Sequence, residues 1–103
     1  MKSPDVYLML VAAQELEETI GDVLLERDDL VRRFGSQTID AHGTRIGYAN
    51  IAEQVRGRAR HCEFKLLMAH ADMDALLAAL RDRLPRAEIV YWAFPVIAYG
   101  SVN

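Results

Sequence analysis

The chain has 103 residues, 51% of them apolar and 26% charged, with a formal net charge of −3. That length holds one domain, residues 1–103, and the composition excludes a disordered tail, a collagen-like rod and a disulfide scaffold. The single cysteine, Cys62, permits no intrachain disulfide, and no apolar run approaches the ~20 residues of a membrane span. Asp5 follows the first residues too closely for a signal peptide, so a cytoplasmic protein is expected.

Asp5–Val11 is short, apolar and compatible with a first strand. From Ala13 the period changes: Leu16, Ile20, Val23 and Leu24 recur at helical spacing between Glu15, Glu17, Glu18 and Asp22, which predicts an amphipathic helix to about Glu26. Its acid-rich first turn suits the positive end of the helix dipole. Gly21 inside that helix costs about 1 kcal/mol against alanine, which implies close packing there.

Residues 28–35 read as a turn leading into a second strand, Ser36–Ala41. The following His42–Asn50, with two glycines, polar residues and Tyr48, reads as a flexible loop that Ile51–Gly57 extends. His61–Met68 alternates cleanly, with Cys62, Phe64, Leu66 and Met68 on one face and His61, Glu63 and Lys65 on the other, as a half-buried strand does. Asp72 suits an N-cap for a second amphipathic helix through Met73, Leu76, Leu77, Leu80 and Leu84, stopped by Pro85. Ile89–Tyr99 is the last strand, and Pro95 places its far half at an edge or in a bend.

The order β-α-β-β-α-β with right-handed crossovers gives an α+β, ferredoxin-like sandwich: a four-stranded antiparallel sheet with two helices on one face. Strands 1 and 4 are nevertheless apolar on both parities, Val6, Leu8 and Leu10 against Tyr7, Met9 and Val11, and Ile89, Tyr91 and Ala93 against Val90, Trp92 and Phe94. An apolar sheet face of that size calls for a symmetric homo-oligomer.

The charge is divided along the chain. Residues 1–31 hold eight acids against two bases, and residues 32–103 hold ten bases against seven acids. Arg45–Arg60 contains four arginines and one acid, Glu53, an excess that attracts a small anion or an acidic partner surface. The acidic balance overall argues against a nucleic-acid binder.

Strand 2 carries Ser36-Gln37-Thr38-Ile39-Asp40-Ala41-His42-Gly43, and Arg56-Gly57 stands ahead of strand 3. Over nearly the whole chain the sequence resembles the PII-like signalling superfamily, a trimeric ferredoxin-like group. Thr38 and Gly43 match that family's Thr and Gly before its long T-loop, and Arg56-Gly57 matches the return from it. The ending Tyr91-Trp92-Ala93-Phe94-Pro95-Val96-Ile97-Ala98-Tyr99-Gly100 looks still more like a small PII-like family of unknown function whose members occur beside heavy-metal efflux systems. The PII family cradles nucleotide phosphates with a glycine-rich loop between helix 2 and strand 4. Here that connection is Arg81–Glu88 without a glycine, so ordinary ATP sensing through backbone N–H groups is not expected.

The resemblance implies a trimeric regulatory module, not an enzyme, whose 42–58 loop docks on a partner protein such as a membrane transporter. Thr38, Gly43, Arg45, Arg56 and Arg58 are the expected ligand-binding and loop-contact residues. The effector is a small anion, a nucleotide or a metal; the sequence does not choose among them. His42 and His61, gathered from several subunits, are the candidate metal ligands of an alternative metal-tolerance role, with His61 and His70 facing solvent and Cys62 in the core. No catalytic constellation, P-loop or dinucleotide fingerprint is present. A second alternative, a dimeric αβ-barrel enzyme for a small hydrophobic molecule, uses the same βαββαβ unit with His61 or Glu63 in a pocket between sheets.

Overall fold

The computed structural model describes residues 3–43 and 51–103, with backbone alone at 54–56. Among the described residues, four strands form one sheet: β1 (Val6–Ala13), β2 (Val31–Ala41), β3 (Ala59–Met68) and β4 (Val90–Pro95). Every pairing is antiparallel and the spatial order is β2-β3-β1-β4. The helices are α1 (Glu17–Glu26), α2 (Ile51–Arg56) and α3 (Met73–Arg83), with 3-10 turns at Gln14–Leu16 and His70–Asp72 leading into α1 and α3.

The core follows from strand parity. Leu8 and Leu10 of β1 stand opposite Leu66 and Phe64 of β3, and all four are buried beneath Ile20, Val23 and Leu24 of α1 and Leu76 and Leu80 of α3. Each such side chain contributes about 1.5–3 kcal/mol when fully buried. Phe34 of β2 completes the layer, its ring tilted against Phe64 with centroids 6.3 Å apart. Cys62 lies fully buried in the same layer. Burial pushes its thiol pKa up, with the charge of Glu17 adding to the effect, so little thiolate forms near neutral pH.

Strand β2 begins at Val31, five residues before the expected Ser36. The reason is a bulge: the β2–β3 register shifts between Val31 and Arg33, so Arg32 and Arg33 are both exposed and the alternation that reveals a strand is lost. Ile51–Arg56 is the helix α2 rather than part of a loop. Six residues are too few for a helical period to show in a sequence. Strand β4 ends at Pro95 instead of running to Tyr99. Beyond it Val96 N–H donates to Asp5 C=O at 3.0 Å, and the tail crosses the end of the sheet until the guanidinium of Arg32 lies 5.5 Å from the centre of the Tyr99 ring.

Two finer expectations fail. Asp72 occupies the N-cap position of α3, but the preceding 3-10 turn already gives it helical dihedrals and its side chain makes no capping bond. A methyl group added at Gly21 would meet Phe64 Cε2 at 4.0 Å, an ordinary contact, so nothing packs closely enough there to require glycine.

Helices α1 and α3 both pack on the core face and leave the other face of β1 and β4 uncovered by them. Tyr7, Met9 and Val11 are half-buried, and all six residues of β4 are exposed, including Trp92 (41%) and Phe94 (51%).

Candidate functional site

Strands β2 and β3 outrun β1. The last β1 residue, Ala13, pairs with His61, while β3 starts at Ala59 and pairs with Ala41 of β2. The rungs Asp40–Arg60 and Ala41–Ala59 therefore form a stem that projects past β1 and leads into the 42–58 segment.

On the side where β1 is missing, β3 backbone N–H groups need other partners. Helix α2 supplies them through one residue. Glu53 Oε2 accepts the N–H of Arg60 at 2.9 Å and Glu53 C=O accepts the N–H of Arg58 at 3.2 Å. Glu53 is accordingly buried, at 8% exposure. Gly57 ends α2 with a φ of +70°, the left-handed conformation that closes a helix and that residues with a Cβ adopt at a cost. Arg58 and Asp40 form an exposed ion pair across the stem at 3.5 Å. His42 Nδ1 donates to Gly57 C=O at 3.1 Å, which joins the two sides of the segment once more.

The stem thus presents two different faces. Thr38 and Asp40 stand opposite Cys62 and Arg60, and Thr38, Asp40, Arg58 and Arg60 are exposed because α1 and α3 do not reach this far. Ile39, Ala41, Ala59 and His61 turn the other way, with both alanines buried. Two arginines and a threonine on one exposed face suit a small anion, and Asp40 competes for Arg58.

Of the expected site residues, Arg58 stands at the far end of the stem beside Asp40, and Gly43 lies just past that end with a φ of +151°. Thr38 lies below the stem opposite Cys62, so the structure does not bring it into contact with Arg58. Arg45 lies outside the described residues, as does the side chain of Arg56, whose backbone closes α2. His42 is exposed, while His61 is half-buried and its Nδ1 has no hydrogen-bond partner among the described residues. His61 is therefore less solvent-facing than expected, because it sits on the inner rung where β1, β2 and β3 all meet. Among the described residues no group of three or more His, Cys, Asp or Glu side chains converges as a metal site. Sequence reading passed over Glu53, Asp40 and Arg60. The signal for Glu53 was available, since it is the one acid among the four arginines of Arg45–Arg60.

At the end of α3, Arg83 is paired with Glu26 of α1, while Arg81 borders a surface groove of about 250 Å³ between α3 and β4. His70 is exposed, and its backbone N–H donates to the Asp5 carboxylate at 2.6 Å. Among the described residues no helix is long and apolar enough to cross a membrane.

Residues 2–103 match the DUF3240 family, a group described as proteins of unknown function. The chain belongs to the DUF3240 family. Its fold is similar to that of a DUF3240 protein from Shewanella baltica OS155, with 24% identity, a TM-score of 0.78, and 99% of this chain and 100% of that one covered. It is similar also to CPII, a nitrogen regulatory PII-like protein from Thiomonas intermedia K12 solved with ADP, AMP and bicarbonate, at 11% identity and a TM-score of 0.69, covering 96% and 97% of the two chains. It is similar as well to CutA1, a stable protein from the psychrotrophic bacterium Shewanella sp. SIB1, at 15% identity and a TM-score of 0.66, covering 96% and 88% of the two chains. Comparison with curated proteins returns no match. The DUF3240 chain thus has the PII-like, ferredoxin-like α+β fold.

Proposed function

We propose that this DUF3240 protein is a PII-like regulatory module: a cytoplasmic homotrimer whose 42–58 segment docks on a partner protein, with a small anion at the stem setting the state of that segment. The observation that carries the reading is the stem itself. It carries the two ends of the segment past the last β1 residue and joins them through Glu53, Arg58 and His42, so a ligand that competes for Arg58 changes the contacts there. The connection Arg81–Glu88 lacks the glycine cradle for a nucleotide, which favours a compact anion at the exposed arginines of the stem. Bicarbonate, bound together with ADP and AMP in CPII, is the first anion to test. A transporter is the partner suggested by the sequence's resemblance to proteins found beside metal-efflux systems. The module performs no catalytic step in this reading.

Self-association follows from the uncovered sheet face of Met9, Trp92 and Phe94. Light scattering on the full chain, alone and with ADP, bicarbonate, copper or zinc, tests both parts. Three chain masses are expected, with bicarbonate binding weakened about tenfold or more in Arg58→Ala. A dimer overturns the trimer, and unchanged bicarbonate binding in that variant overturns the site.

A further inference from the structure

Strand β4 is uncovered on its helix side as well. Tyr91, Ala93 and Pro95 stand opposite Leu10, Leu8 and Val6 of β1, which places them on the core side of the sheet. All three are exposed, although their β1 partners are buried. Helix α3 turns Leu76 and Leu80 into the core and leaves β4 outside its cover.

A trough remains between the two elements. Its helix wall is the i, i+4, i+8 row of Met73, Leu77 and Arg81, and its strand wall is Tyr91, Ala93 and Pro95. Two recesses make it up, one of about 250 Å³ at Leu77, Arg81 and Tyr91 and one of about 330 Å³ at Met73, Ala93 and Pro95. Leu77 follows Met73 by one helical turn, and Ala93 follows Tyr91 on one strand face, so the recesses are consecutive parts of one groove. Joined, they fall within the roughly 300–1,000 Å³ that small-ligand sites occupy.

The two ends differ in charge, and the middle is apolar. Arg81 makes no ion pair among the described residues, whereas Arg83 is held by Glu26. Asp5 borders the far end, where its carboxylate accepts the N–H of His70. We propose that this trough binds a single-chain alkyl carboxylate of about ten carbons, with its carboxylate on Arg81 and its chain running past Leu77 to Met73 and Pro95. Eight residues of helix separate Met73 from Arg81, about 12 Å, a length that an extended chain of about ten carbons covers. A single guanidinium matches a carboxylate through two parallel N–H bonds. The negative charge of Asp5 disfavours the reversed orientation. The trough lies on the other side of β4 from Trp92 and Phe94 and uses neither Arg58 nor the 42–58 segment, so its failure would leave the reading above in place.

NMR titration of the full chain with decanoate, kept below its micelle-forming concentration, tests the inference. Shifts are expected at Met73, Leu77, Tyr91 and Ala93. Arg81→Gln, an exposed substitution expected to stay folded, should raise the dissociation constant about tenfold or more. Arg86→Gln, at an exposed arginine outside the trough, should bind as the wild type does. Shifts confined to Arg58 and Arg60, or no shift in the trough up to the onset of micelles, overturn the inference. So does equal binding by Arg81→Gln, or a loss of the same size in Arg86→Gln. Should Arg81→Gln fail to fold, acetate on the wild type decides: the inference expects it to bind far more weakly than decanoate, and equal affinity removes the chain from the trough.

Discussion

The body of the sheet and the stem above it are built from the same two strands, yet the same parity has opposite outcomes in each. Phe64 and Leu66 of β3 are buried, whereas Arg60, on the same parity of that strand, is exposed. Phe34 of β2 packs into the core layer, whereas Thr38 and Asp40, on its parity, face water. The difference is the neighbour. Helices α1 and α3 lie over the body and stop short of the stem, where the edge of β3 is satisfied by Glu53 of α2 instead. Alternation determines which side chains share a face, and only the covering element determines whether that face is a core or a binding surface.

The contrast can be broken at both ends. Phe64→Ala, in the body, should cost about 3–5 kcal/mol in chemical denaturation, because it removes a ring that α1 and Phe34 enclose. Thr38→Ala, on the exposed length of β2 that leads to the stem, should stay within about 0.5 kcal/mol, and a larger loss would mean that this face is packed in solution. Gly57→Ala should cost about 1–2 kcal/mol through backbone conformation alone, since a Cβ there meets nothing within 4 Å; melting temperature against wild type checks it. Gly21→Ala should stabilise by up to about 1 kcal/mol, because the body has room for the methyl and the helix gains propensity. A loss there would place Phe64 closer to α1 than 4.0 Å.

Most of the body was legible in the sequence, because its residues obey one periodicity at a time. Cys62, Phe64, Leu66 and Met68 alternate without a break, and α1 and α3 each show a full apolar stripe. The stem was less legible for three separate physical reasons. A bulge at Arg32 scrambled the start of β2, and α2 is shorter than two turns. The role of Glu53 depends on an N–H of Arg60 that lacks a partner only because β1 ends at Ala13. That last fact concerns the relative lengths of strands far apart in the chain, and no local pattern carries it.

The height of the stem is a ruler with a fixed graduation. It stands two rungs, about 7 Å, above the last β1 residue. Lengthening β2 and β3 by two residues each would raise the ends of the 42–58 segment by about as much again and keep Thr38 and Arg58 facing the same way. Lengthening each by one would turn every side chain above the insertion to the opposite face. Reach and orientation in such a module are therefore inherited together, and reach alone can change only in even steps.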